Sequence, residues 1–213
     1  MTTPEPPTDE QEQLARARAG DAAALASLFG RYRPRLRKLV RLRLDPRLQG
    51  RVDPSDVLQE AYLDVVHQWP TFLAKPPGSM SPYLWLRLTT GQRLMRLHRE
   101  HLGSAMRDAG REVSLHRGAL PQASSASLAA QLLGNLTSAS QAVERAEIQI
   151  KLQAALNGMD EDDREIIALR NFEELSNAEA AQVLGIEPPA ASKRYVRALK
   201  RLQDILKIIP GLL

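Results

Sequence analysis

Residues Leu169 to Leu202, LRNFEELSNAEAAQVLGIEPPAASKRYVRALKRL, leave this chain few choices of fold. Ser176-Asn177-Ala178-Glu179 is a capping box, in which the serine oxygen takes one orphan amide and the glutamate reaches back to another. Ala181 and Leu184 continue a short helix, and Gly185 supplies the left-handed residue that commonly ends one. Pro188 and Pro189 lack amide hydrogens, which a helix tolerates only in its first turn. The second helix carries Lys193, Arg194, Arg197, Lys200 and Arg201 against a packing stripe of Ala191, Tyr195, Ala198 and Leu202. Two helices, a tight turn and a basic second helix make a helix-turn-helix, the arrangement that enters a DNA major groove.

The rest of the chain also reads as helix. Leu, Ala and Arg dominate its 213 residues, and few stretches are β-branched. The net charge of +4 is modest, so local excess matters more than the total. The chain has no Cys, which removes disulfides, thiolate metal sites and thiol nucleophiles together and fits a reducing cytoplasm. No apolar run approaches the roughly 20 residues of a membrane span, so no membrane insertion is expected. The opening MTTPEPPTDEQEQ is polar and proline-rich, and reads as a disordered arm over 1–13.

An Arg-rich helical block follows over 14–103. Within it, Asp53-Pro54-Ser55-Asp56 is a strong helix start. Val57, Leu58, Ala61, Tyr62, Val65, Val66 and Trp69 recur at helical spacing, and Pro70 is expected to end that helix. The loop TFLAKPPGSMSP leads to Pro82, which opens a third helix with Arg87, Gln92, Arg93, Arg96 and Arg99 on its polar side. Trp85, beside leucines, reads as core. A Ser-, Ala- and Gly-rich stretch over 104–141 suits a flexible linker, with a marginal helix near Leu128 to Leu133. The last block, 142–213, begins acidic and ends basic. Its Asp160–Glu165 cluster complements a helix N-terminus. The fold class is therefore all-α: two small helical domains on a linker, the second a helix-turn-helix.

Taken in order, these elements resemble the extracytoplasmic-function type of bacterial RNA polymerase sigma factor. AGDAAALASLFGRYRPRL resembles that family's opening helix. DVLQEAYLDVVHQWPTF with YLWLRLTTGQRLMRLHR resembles its polymerase-binding and promoter-melting helices. LNGMDEDDREIIALRNFEELSNAEAAQVLGIEPPAASKRYVRALKRL resembles its C-terminal DNA-reading domain.

The resemblance implies partners and roles. The partners are core polymerase, through its largest-subunit clamp and its flap, promoter DNA, and an anti-sigma factor of the kind that clamps between the two domains. Asp56, Gln59, Glu60 and Asp64 are expected at the polymerase. Phe72, in the loop before the third helix, and Gln92, within it, are expected to capture a flipped base of the proximal promoter element. Arg87, Arg93, Arg96 and Arg99 are expected to hold phosphates there. In the recognition helix, Pro189-Ala190-Ala191-Ser192-Lys193-Arg194 departs from the family's Gly-Thr-Val-basic-Ser-Arg, so no promoter sequence is carried over. Ser192, Lys193, Val196 and Arg197 are expected to face bases of the distal element, and Arg194, Lys200 and Arg201 its phosphates.

Other readings fit less of the chain. His98 and His101 lack the His-Glu-x-x-His spacing of zinc hydrolases, the glycines form no phosphate loop, and the acidic cluster lacks the pattern of a calcium loop. No catalysis, cofactor or metal is expected. A conventional helix-turn-helix regulator, binding palindromic DNA as a dimer without polymerase, has no use for the basic third helix. Nor does an adaptor that keeps only the docking helix. The acidic run Asp160–Asp163 lies near basic helices in sequence, and this motivates an expectation that the domains pack together and hide their basic faces when free.

Overall fold

The computed structural model describes residues 9–76, 78–102, 120–136 and 142–209. The described residues are helical: α1 (Asp9–Arg18), α2 (Ala22–Arg43), a 3-10 turn (Pro46–Leu48), α3 (Pro54–Leu73), α4 (Pro82–Leu102), α5 (Ser125–Leu136), α6 (Ala142–Asn157), α7 (Glu161–Ile167), a π turn (Ala168–Phe172), α8 (Asn177–Leu184) and α9 (Pro188–Ile208). The start of the expected arm, most of the expected linker and residues 210–213 lie outside the described residues.

Helix starts follow local chemistry. The Asp21 side chain accepts from the Ala24 amide at 3.0 Å, and Asp53 accepts from Ser55 at 2.6 Å with Pro54 behind it. These caps satisfy amides that the first turn cannot. The arm was expected to run to residue 13, yet α1 begins at Asp9. Contacts to α2 order it: Asp9 pairs with Arg31, and the Tyr32 hydroxyl donates to Glu10 at 2.5 Å.

Pro70 does not end its helix, contrary to expectation. A proline removes one donor and crowds the carbonyl four residues earlier, here that of Val66. Both residues face solvent, so water can serve that carbonyl, while buried Trp69 and Phe72 hold the last turn on the core. The amide of Ala74 returns to the Pro70 carbonyl at 3.1 Å and closes the end.

The first core lies between α2, α3 and α4. Its centre is an aromatic triangle, with Trp69 5.0 Å from Phe72 and 5.5 Å from Trp85, and Phe72 4.8 Å from Trp85. The Trp69 indole donates to the Ala17 carbonyl at 3.1 Å, which ties α1 to this core. The same buried cluster continues into the C-terminal unit, through Leu152, Leu156, Ile166, Leu169, Ala181 and Leu184 with Ala191, Ala198 and Leu202 of α9.

The two bodies touch. Helix α5 packs against α6 and also against α2. Ahead of it, Leu120 sits on Gly91 of α4 so closely that a Cβ built there would lie 2.1 Å from the leucine Cγ. The region expected as a flexible linker thus contains a docked segment, because Ala129, Leu128 and Leu133 find buried seats.

Candidate nucleic-acid interface

The C-terminal unit presents α9. The Ser176 hydroxyl and Glu179 carboxylate form the reciprocal capping box of α8. Gly185 adopts φ +63°, and the next amide, Ile186, bonds the Ala181 carbonyl at 3.0 Å. A side chain there would strain the turn. The Asn177 amide group donates to the Pro188 carbonyl at 2.9 Å, fixing the start of α9 to the start of α8. Ala191, Ala198 and Leu202 are buried, and Tyr195 is half-buried with the Arg170 guanidinium 5.3 Å from its ring centre.

Opposite that stripe, Ser192, Lys193, Val196, Arg197 and Lys200 are exposed. Lys193, Val196, Arg197 and Lys200 follow i, i+3, i+4, i+7 spacing and share one face. Three other contacts hold α9 in place. Arg194 pairs with Asp162 at 2.6 Å, Arg197 reaches Asp163 at 3.2 Å, and Arg201 also pairs with Asp163. Asp163 is fully buried. It therefore does more than cap α7, as the sequence suggested. It sits on the same stripe as Ile166 and Ile167, and an acid on an apolar stripe is the signal that could have found its role. The Arg194–Asp162, Arg197–Asp163 and Arg201–Asp163 pairs all lie within the C-terminal unit. The Asp160 side chain caps α7 by accepting from the Asp162 amide.

In the N-terminal unit, Asp56, Gln59 and Glu60 are exposed on α3. Leu63 and Val66 are exposed beside them. Asp64 is different: Arg93 grips it with two bonds of 2.8 and 3.0 Å, and Arg96 also pairs with it. Glu60 approaches Arg93 at 3.2 Å. Arg93 and Arg96 thus clamp α4 to α3 in this state, Gln92 is half-buried, and Arg99 is exposed.

Two expected positions need correction. Phe72 does not lie in a loop open to a base; it is in the last turn of α3 and packs between Trp69 and Trp85. Its large apolar ring gains more from the core than an exposed loop could offer. Arg87 is not a free phosphate clamp. It is buried, and its Nε donates to Glu173 at 2.6 Å.

That contact belongs to a cleft between α2 and α4, filled by the turn after the π-helical residues. Arg43 donates through Nε to Glu173 at 2.6 Å, through Nη2 to Glu165 at 2.6 Å, and through Nη1 to the Pro121 carbonyl at 2.7 Å. Arg35 lies over the Tyr83 ring at 3.6 Å and donates to the Glu174 carbonyl at 2.7 Å, while Lys38 pairs with the Glu174 carboxylate. Glu173 is fully buried. Burial alone would raise its pKa, but the charges of Arg43 and Arg87 more than offset this and hold it below the ordinary value. For Arg43, burial would depress the pKa, yet Glu165 and Glu173 hold it above the usual arginine value. Glu173 and Arg43 therefore stay charged, a condition buried ions meet only when paired.

The model of the family "Sigma-70, region 4" matches residues 149–202, the stretch that holds α7, α8 and α9 as far as Leu202. Residues 149–202 are similar to that family and are called region 4 after it. Region 4 here therefore spans from within α6 to Leu202, and its exposed face is the one just described. No curated protein matches the chain. Among solved structures, CnrH in complex with the cytosolic domain of CnrY is similar at 21% identity and a TM-score of 0.53. That match covers 92% of this chain and 96% of CnrH, so the shared fold extends well beyond region 4. The sigma factor RpoE of Bartonella quintana, in complex with the anti-sigma factor NepR, is similar at 19% identity with a TM-score of 0.44, covering 82% of this chain and 91% of RpoE. The region 4 match agrees with the resemblance of the C-terminal block to a sigma factor's DNA-reading domain, and the likeness to CnrH shows a shared all-helical fold.

Proposed function

We propose that the chain is a sigma factor of the extracytoplasmic-function type, which binds core RNA polymerase and directs promoter-specific initiation in the cytoplasm. The observation that carries this is the region 4 match over 149–202 within a two-unit helical fold shared along 92% of the chain. Region 4 reads the distal promoter element as duplex through Ser192, Lys193, Val196 and Arg197. Arg194, Lys200 and Arg201 hold its phosphates.

The N-terminal unit docks on polymerase through Asp56, Gln59 and Glu60 of α3, with Asp64 ordering α4 behind them. Gln92 and Arg99, joined by Arg93 and Arg96 once α4 engages DNA, serve the proximal element and the separated strands. The chain's own residues carry no reaction; polymerase supplies the chemistry. CnrH is described bound to the cytosolic domain of CnrY, and an anti-sigma partner is the corresponding proposal for this chain. Among the described residues no helix is long and apolar enough to cross a membrane.

A reconstituted transcription reaction tests the reading. With core polymerase, the chain should start transcripts at a defined subset of genomic sites. Lys193→Ala with Arg197→Ala should weaken those starts while leaving polymerase association intact. A chain that ignores core polymerase but binds palindromic duplexes unaided as a dimer would overturn the proposal in favour of a conventional helix-turn-helix regulator.

A further inference from the structure

The α2–α4 cleft carries an inference that rests on the sigma-factor reading and adds a binding site to it. Four cations converge there: Arg35, Lys38 and Arg43 from α2, and Arg87 from α4. What fills the cleft is an acidic turn of region 4, with Glu173 and Glu174, joined by Glu165 of α7. No acidic residue lies on α2 to neutralise the cleft from its own side. The occupant must come from elsewhere, and it must be anionic.

The turn is also not the most relaxed solution. Glu174 holds φ +58°, the one non-glycine residue with positive φ among those described. Left-handed backbone disfavours a side chain with a Cβ, and glycine is its default occupant. A glutamate kept in such a position puts a carboxylate on Lys38 and a carbonyl on Arg35. Removing one side of a buried ion pair leaves the other charge uncompensated, so whatever replaces these carboxylates must itself be anionic.

We propose that the cleft formed by Arg35, Lys38, Arg43 and Arg87 is a binding site for the phosphodiester backbone of promoter DNA, and that Glu165, Glu173 and Glu174 occupy it as phosphate mimics until the two units part. When polymerase draws region 4 away, the four cations face solvent together beside α4. The separated strand can then take the place of the carboxylates. In the free chain the cleft is shut, and the DNA affinity of the N-terminal unit is suppressed.

The test uses the full chain and a labelled oligothymidylate of about 20 nucleotides, a probe for backbone binding without base readout. Glu174→Gly removes a carboxylate while easing the strained backbone, so the variant keeps its fold. Glu165→Gln/Glu173→Gln/Glu174→Gly opens the cleft fully. A charge-matched control, Glu12→Gln/Glu147→Gln/Asp204→Asn, changes exposed acids on α1, α6 and α9.

By fluorescence anisotropy, the cleft triple should bind roughly tenfold more tightly than the control near 0.1 M salt. Its salt dependence should steepen by up to about 3 in log–log slope, from about 0.7 per newly engaged phosphate. Glu174→Gly alone should fall between. In Lys38→Cys/Glu174→Cys, a short bis-maleimide between the only two thiols should hold binding at or below the wild-type level. Equal affinity and slope for the cleft triple and the control would overturn the proposal, as would a cross-linked chain that binds like the open triple. A wild-type chain that fails to join polymerase would instead count against the function proposed above, since this titration contains no polymerase.

Discussion

Gly91→Ala should lower the stability of this chain even though it improves the helix it sits in. In the interior of α4, alanine is favoured over glycine by about 1 kcal/mol. Against that, the new Cβ would meet the Leu120 side chain at 2.1, 2.7 and 2.7 Å. No real pair of carbons tolerates such separations, so Leu120 must move. Overpacking of this kind costs about 1–3 kcal/mol, or else Leu120 leaves and loses the burial of a half-covered leucine, about 1–2 kcal/mol. The net expectation is a loss of about 1 kcal/mol or less, too small to interpret alone.

The background decides it. In Leu120→Ala the obstacle is gone, and Gly91→Ala should then stabilise by about 1 kcal/mol. Urea unfolding of the wild type, both single variants and the double gives the coupling directly, and it should exceed about 1 kcal/mol. The sign of the glycine substitution should reverse between backgrounds. If Gly91→Ala stabilises equally in both, Leu120 does not rest on α4 in solution, and the account of a docked strap is wrong.

Two further expectations concern the buried charges. Arg87→Met leaves Glu173 with Arg43 as its remaining buried cation, and should cost about 3 kcal/mol in urea unfolding; a loss below about 1 kcal/mol would mean that the two units stand apart in solution. His98 is buried and accepts the Asp45 amide at 3.1 Å, so burial holds its pKa below the ordinary 6.5. Its contribution to stability is complete above 6.5 and is lost as pH falls through the lowered folded value. His98→Gln should flatten thermal stability across that window, and an unchanged acid-side decline would assign it to another group.

Much of the architecture could be read from short-range chemistry. The caps at Asp53 and Ser176, the prolines at 54, 82 and 188, and the turn at Gly185 mark helix ends through contacts within a few residues. The apolar stripe of α9 and the core placement of Trp85 followed from periodicity. What escaped has partners far along the chain. Arg87 and Glu173 are 86 residues apart, and Arg43 and Glu173 are 130 apart, so neither shows a local sign of its pairing. An arginine on the polar side of a pattern looks free until another body covers it. Phe72 and Pro70 were misplaced for a related reason: a proline rule describes one turn, while the aromatic triangle that carries the helix past it is tertiary. In the acidic cluster at 160–163 the capping role of Asp160 is local, whereas Asp162 and Asp163 pair with arginines of α9 more than thirty residues on.

The aromatic triangle also determines what an optical experiment can observe. Trp69 and Trp85 are the chain's two tryptophans, and both sit in the N-terminal core. Indole emission will therefore follow that body and stay silent when region 4 loosens or swings away. Of the four tyrosines only Tyr195 belongs to region 4, beneath the Arg170 guanidinium. A dye or fluorinated tyrosine at that position would give the silent half its own spectroscopic voice, and two-colour melting could then time the parting of the units against the unfolding of each.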